Sequence, residues 1–149
     1  MKKIILVLLA LILAACSQET KSEYDLNLEK WDSARIDHYR YSLHYICFCP
    51  NADKIPLQIE VQNGEVVSMT YVDGTPVPED DPMLEFYSEY STIDRVFSSL
   101  KAELEGEADE VTVTYNSSLG YPEQINIDRV KETVDDELMV QVTNFEVLE

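Results

Sequence analysis

The residues with the clearest chemical potential lie in one run, His38–Pro50, HYRYSLHYICFCP. It holds both histidines of the chain, two of its three cysteines and three of its nine tyrosines. Cys47 and Cys49 offer three kinds of chemistry: a disulfide, a redox pair, or soft metal ligation. Two residues along a regular strand are about 6.5–7 Å apart at Cα, at the upper edge of what a disulfide spans. A Cys47–Cys49 bond therefore requires a bend, which Pro50 can help supply. Such a bond closes a very short loop, adds little loop entropy, and is easier to reduce if strained. No Lys or Arg stands beside the pair to favour a thiolate. Metal ligation would recruit His38 or His44 beside the thiols. Strand alternation separates them, because Tyr39, Tyr41, Leu43, Tyr45, Cys47 and Cys49 share one face while His38, Arg40, Ser42, His44, Ile46 and Phe48 share the other. No second C-x-C and no H-x-H completes a ligand set. The first expectation is a structural pair, as a disulfide or as buried thiols; a redox or partner-linked pair is second and a metal site third.

Carboxylates form the other candidate chemistry. Glu79-Asp80-Asp81 and Asp135-Asp136-Glu137 could offer oxygen ligands to a cation such as Ca²⁺. Neither fits an EF-hand loop, and turn chemistry, capping and solvation explain both more simply. No G-x-S-x-G, H-E-x-x-H or P-loop pattern is present. The expectation is a non-catalytic protein that needs no cofactor.

The N-terminus bears on attachment. Met1-Lys2-Lys3 is a short basic region, and Ile4 to Leu13 is an unbroken apolar run of ten residues. That is half of the about 20 needed to span a bilayer and suits the apolar region of a signal peptide. The run ends in Leu13-Ala14-Ala15-Cys16, which resembles the lipobox of bacterial lipoproteins. The resemblance implies cleavage before Cys16 and acylation of its thiol, which anchors a protein without spanning the membrane. Ser17, where an Asp would imply inner-membrane retention, leans toward the periplasmic face of the outer membrane in a Gram-negative cell. Residues 1–15 are thus expected as a signal peptide, 16–24 as lipidated cysteine and tether, and 25–149 as one domain.

These side chains must be placed by a modest set of elements. Leu26 to Asp37 reads as a helix with Leu28, Trp31 and Ala34 inward. The His38 strand follows, expected to run into a more covered position at its end. Ile55–Gln62 is a strand that turns at Asn63-Gly64. A three-residue loop, Gln62-Asn63-Gly64, keeps apolar residues paired across it (Ile59 with Val67, Leu57 with Met69), so a bulge at Gly64 is expected. Gly74 to Glu89 reads as a long proline-rich connection and a candidate functional loop. Ser91 opens an amphipathic helix, with Asp94 completing a capping box and Gly106 closing it. Val111–Tyr115, Tyr121–Asp128 and Leu138–Leu148 are strands. The order is helix, three strands, long loop, helix, three strands. Pro56–Val61 aligns with Pro122–Ile127 at an offset of 66, which also sets Trp31 against Phe97. The expected fold is α+β: two helix-plus-three-strand halves from an internal duplication, joined in an antiparallel sheet of about six strands with two helices on one face. This architecture resembles the tandem repeats of β-lactamase-inhibitor-like proteins.

The 149 residues carry 29 acidic and 11 basic side chains, a net charge of −18. That argues against nucleic acid as a partner. Trp31, Tyr39-Arg40-Tyr41, Cys47-Phe48-Cys49-Pro50, Thr92-Ile93-Asp94, Gly120-Tyr121-Pro122, Ile127-Asp128 and Asp135-Asp136-Glu137 together resemble an uncharacterised family of bacterial lipoproteins defined as a domain of unknown function. The resemblance implies a small exported or lipid-anchored domain and no activity. The expected partners are the membrane, through lipid on Cys16, and an envelope protein bound by a sheet face or by the Gly74–Glu89 loop. The alternative is a periplasmic redox-active or metal-handling protein that uses Cys47 and Cys49.

Overall fold

A computed structural model describes residues 21–47, 52–133 and 136–149. Helix α1 is Glu23–Ala34. Its start is set by a reciprocal capping box: the Asp25 amide donates to the Ser22 hydroxyl at 3.1 Å, and the Ser22 amide donates to the Asp25 carboxylate at 3.2 Å. The helix therefore begins ahead of Leu26, inside the stretch read from sequence as tether, because capping rather than apolar periodicity defines a helix end. It closes at Arg35, which takes a left-handed φ of 50°. Of the expected stripe, Trp31 is buried, Leu28 is half-buried and Ala34 is exposed.

Strand β1, His38–Ile46, follows directly. Tyr39, Tyr41, Leu43 and Tyr45 are all buried, as alternation predicts. The opposite face departs from expectation. Ser42 in the middle is completely covered, whereas Ile46 at the end is 61% exposed. Ser42 is covered because Asn144 Nδ2 donates to its hydroxyl and that hydroxyl donates to Gln58, each at 3.1 Å.

Strands β2, Leu57–Gln62, and β3, Glu65–Thr70, form a hairpin. Its loop has two residues rather than three: Asn63 and Gly64 take φ of 53° and 79°, and Gln62 faces Glu65. Both positive φ values suit a two-residue hairpin turn. The pairs expected of a longer loop, Ile59 with Val67 and Leu57 with Met69, do not form; a register shift between Glu60 and Val61 instead brings Ile59 opposite Met69, which keeps an apolar partner.

The Gly74–Glu89 connection is folded. Thr70 and Pro76 form a bridge, and the Val77 amide donates to the Met69 carbonyl at 3.0 Å. Its second part is helix α2, Leu84–Glu89. Helix α3, Ile93–Leu104, buries Ile93, Val96, Phe97 and Leu100. Each such side chain contributes about 1.5–3 kcal/mol when fully buried, so this stripe dominates its docking. Thr92, not Ser91, caps it by accepting from the Arg95 amide at 3.1 Å. Ser91 instead donates to the Ser88 carbonyl, and Glu105, not Gly106, is the C-cap.

Strands β4, Glu110–Tyr115, β5, Pro122–Asp128, and β6, Leu138–Val147, complete the chain. All six strands form one antiparallel open sheet in the order β3-β2-β1-β6-β5-β4. The fold class is α+β. The first and last strands pair at the centre, which leaves β3 and β4 as the edges. Asn144 takes a φ of 51° near a register shift between β1 and β6. The extra residue reverses side-chain parity. Val140 and Val142 are buried before it, and Phe145 stacks on Tyr39 and Tyr121 after it.

Candidate functional site

The redox candidate comes first. Cys47 stands just past β1, half-buried and packed against the core. It is disulfide-bonded. Cys16 and Cys49, the latter the expected partner of Cys47, lie outside the described residues. His38 sits at the other end of β1, with Nε2 at 3.0 Å from Glu60 on β2. His44 is half-buried opposite Gln141 on β6. Among the described residues, no group of three or more His, Cys, Asp or Glu is placed to hold a metal ion.

The first acidic triplet divides. Glu79 and Asp80 are exposed, while Asp81 is only 8% exposed. One Asp81 oxygen accepts from the Tyr71 hydroxyl and the other from the Met83 amide at 2.7 Å. Its carboxylate thus organises the turn into α2. Burial, then the bond to Asp81, pushes the Tyr71 hydroxyl up to about 12, and Lys54 Nζ lies 4.6 Å from the ring centroid.

The second triplet is described only from Asp136, since Asp135 lies outside the described residues. Asp136 is half-buried and Glu137 exposed. Neither carboxylate oxygen of Asp136, nor Oδ1 of Asp128, has a hydrogen-bond partner among the described residues. Desolvation, followed by repulsion from Asp136 and Glu137, raises the Asp128 carboxyl above its ordinary range. The two acidic segments are neighbours because Ile127 on β5 pairs with Leu138 on β6.

Most of the remaining distinctive residues converge on one buried knot. Trp31 Nε1 donates to Asp94 Oδ1 at 2.9 Å; with Thr92 as the cap, Asp94 is the second helical residue and not the third, so it completes no capping box. The Ile93 amide donates to the Tyr39 hydroxyl at 3.0 Å. Trp31 meets Tyr39, Tyr121 and Phe145 edge-on at centroid distances of 5.5, 6.3 and 5.8 Å. Gly120 has a φ of 83°, and a Cβ there would stand 2.4 Å from the Asn27 carbonyl of α1. Gly-Tyr-Pro therefore lets the β4–β5 turn press against α1, sets Tyr121 under Trp31, and starts β5 at Pro122.

A family model for a family of unknown function, DUF6174, matches residues 23–147. The chain belongs to DUF6174. No curated protein and no solved structure matches it. The DUF6174 match starts one residue after the cap of α1 and takes in every described strand. Within this DUF6174 domain the Trp31 knot is architecture: Trp31, Tyr39 and Tyr121 are buried with their polar atoms bonded, and Phe145 is half-buried against them.

One concavity lies outside that framework, and sequence reading missed it. The start of α1, the end of α3 and edge strand β4 enclose a groove of about 510 Å³. Tyr24, Leu104, Val111, Val113 and Tyr115 supply apolar surface, and the exposed Glu23, Glu105 and Lys101 border it. Burial raises the hydroxyl pKa of Tyr24 and pushes that of Tyr115 up to about 12; nearby carboxylates, Asp25 and Glu105 for Tyr24 and Glu23 for Tyr115, add to both shifts. The signal available in sequence was the Val-Thr-Val-Thr alternation of β4 with half-buried inward positions. Only the topology makes that strand an edge.

Proposed function

We propose that this protein is a non-catalytic lipoprotein of the bacterial cell envelope, anchored through lipid on Cys16 and serving as a binding or accessory module for another envelope protein. The observation that carries this reading is where the folded unit begins. The family match starts at residue 23 and Ser22 caps α1, so only residues 17–21 separate the folded unit from the Leu13-Ala14-Ala15-Cys16 lipobox. A short polar spacer between an acylated cysteine and a capped helix is the arrangement a tethered domain needs. Ser17 supports the outer membrane in a Gram-negative host. Palmitate labelling in cells tests the anchor. Label should enter the wild-type chain and be lost in Cys16→Ser, with the protein leaving the lipoprotein fraction; label that persists in Cys16→Ser refutes the anchor.

The three described helices, in this reading, share one face of the sheet. Trp31 of α1 bonds Asp94 of α3, Tyr24 of α1 packs edge-on against Phe97 of α3, and Tyr41 of β1 donates to the Tyr90 carbonyl at 2.5 Å between α2 and α3. The other face then carries amides, hydroxyls and ion pairs, among them Gln141 donating to Gln124, Asn126 donating to Thr112 and Arg40 donating to Glu146. The duplication rests on the 66-residue offset, which aligns β2 with β5 as the middle strands of their halves.

A second reading, a redox-active protein using Cys47 and Cys49, is favoured by one observation: Cys47 is disulfide-bonded. Thiol counting under graded reductant separates the two. A bond that opens and reforms at mild potentials supports the redox role, and one that resists until unfolding removes it.

A further inference from the structure

We propose that the open edge of β4 binds an extended, lysine- or arginine-bearing segment of a partner protein by strand addition, with an apolar side chain of that segment seated in the groove between α1 and α3. The inference rests on the binding-module reading and gives it a surface and a partner chemistry.

The two sheet edges are not alike. Edge β3 is guarded by the Thr70–Pro76 bridge and by the Val77 amide bonded to the Met69 carbonyl. Edge β4 pairs with β5 on one side only, and among the described residues no backbone group reaches it from the other. The Asp109 amide donates to the Arg129 carbonyl across from β5. Antiparallel alternation then turns the backbone groups of Val111 and Val113 toward β5 and those of Thr112 toward the open side. Native sheets commonly blunt such an edge with Pro, Lys or a covering loop; Glu110–Tyr115, EVTVTY, contains neither residue.

Strand addition takes affinity from main-chain bonds and specificity from pockets for alternate side chains. The inward face of β4 supplies the pocket, since Val111, Val113 and Tyr115 line the groove and Leu104, 46% exposed, forms its lip. The charge around it selects the partner. Glu23, Asp25 and Glu105 stand against Lys101, whose ammonium lies 3.8 Å from Glu105. With a net charge of −18, a second copy of this chain is repelled and a cationic segment is attracted.

The test uses the full chain in detergent micelles and two fluorescent, capped peptides, one alternating valine with lysine and one alternating valine with glutamate. Anisotropy titrations should show the lysine peptide binding at least tenfold more tightly at low salt, weakening as salt rises. Thr112→Pro, which removes an outward-facing amide, and Leu104→Glu, at an exposed position, should each weaken binding at least tenfold while thermal melts stay cooperative. If the lysine peptide does not bind, if both peptides bind equally, or if either folded variant binds like wild type, the proposal fails. Palmitate labelling at Cys16 is read separately. A labelled protein that ignores the peptide overturns this inference alone, whereas an unlabelled one overturns the anchored-module reading.

Discussion

Replacing Tyr39 by Phe removes one oxygen at the centre of the molecule and has a consequence that shrinks as pH rises. The ring is 2% exposed, and its hydroxyl accepts from the Ile93 amide at 3.0 Å, at the first turn of α3. That amide has no partner within the helix. Phe keeps the ring packing against Trp31 and Phe145 but leaves a buried donor unpaired, which costs about 1–3 kcal/mol. The second effect comes from titration. Burial pushes the Tyr39 hydroxyl up to about 12, from an ordinary value of 10.0. A raised folded-state pKa means that the stabilisation is fully present below pH 10 and is lost as pH climbs through about 12. Between pH 7 and pH 11 a two-unit shift removes about 1.4 kcal/mol from the wild type, and nothing from the Phe variant at this position. Urea unfolding at both pH values measures the difference. The penalty of Tyr39→Phe should be about 1–3 kcal/mol at pH 7 and smaller by about 1.4 kcal/mol at pH 11. A gap of constant size would show that the hydroxyl titrates normally and that its burial has been misjudged.

Three further perturbations probe other parts of the framework. Gly120→Ala places a Cβ 2.4 Å from the Asn27 carbonyl at a left-handed φ; it should cost more than the about 1–2 kcal/mol of the backbone conformation alone, whereas Gly74→Ala, with open space around it, should cost no more than that, and equal melting temperatures for the two would contradict the close approach. Trp31→Phe keeps an aromatic ring but loses the 2.9 Å bond to Asp94, so chemical denaturation should show a loss of about 1.5–3 kcal/mol, and a neutral result would mean the bond is absent in solution. Asp128→Asn should raise the melting temperature at pH 7, because Asp128 is held above the ordinary carboxyl range by desolvation and by repulsion from Asp136 and Glu137. A raised carboxyl pKa penalises the ionised folded state, so the gain should shrink as pH falls through that pKa and both forms become neutral; a gain that persists in acid would point to packing instead.

The parts of this fold legible in the sequence were those governed by period. Alternation in β1 placed Tyr39, Tyr41, Leu43 and Tyr45 inward, and helical spacing placed Ile93, Val96, Phe97, Leu100 and Leu104 on one stripe; all are buried except Leu104, at the helix end. What escaped was set by single residues whose effect is non-periodic. Ser22 and Asp25 moved a helix start into a polar stretch. The register shift beyond Val61 made a two-residue turn compatible with apolar pairing. Asn144 reversed the parity of β6 so that Phe145 joins Trp31. Asp81, read from sequence as a solvent-facing or cation-binding carboxylate, is instead spent on Tyr71 and Met83, a pairing that only the folded connection creates. The groove beside β4 was invisible for the same reason, because nothing local to Glu110–Tyr115 says that this strand lies at a sheet edge.

This distribution bears on where function resides. Trp31, Tyr39, Gly120 and Tyr121 are buried and pressed against one another or their neighbours, with Trp31 donating outward to the exposed Asp94. A residue whose donors and acceptors are all committed internally has little left to offer a ligand. Residues that hold this framework together thus need not be the residues that make it useful. Surface features that remain unspent are better guides: an edge strand whose outward backbone groups have no partner among the described residues, an apolar groove of about 510 Å³ beside it, and acidic side chains around both. Disabling the framework by Trp31→Phe should lower stability and everything that depends on it, whereas Leu104→Glu should alter binding with the melting temperature almost unchanged. That separation is what distinguishes a site from the scaffold that carries it.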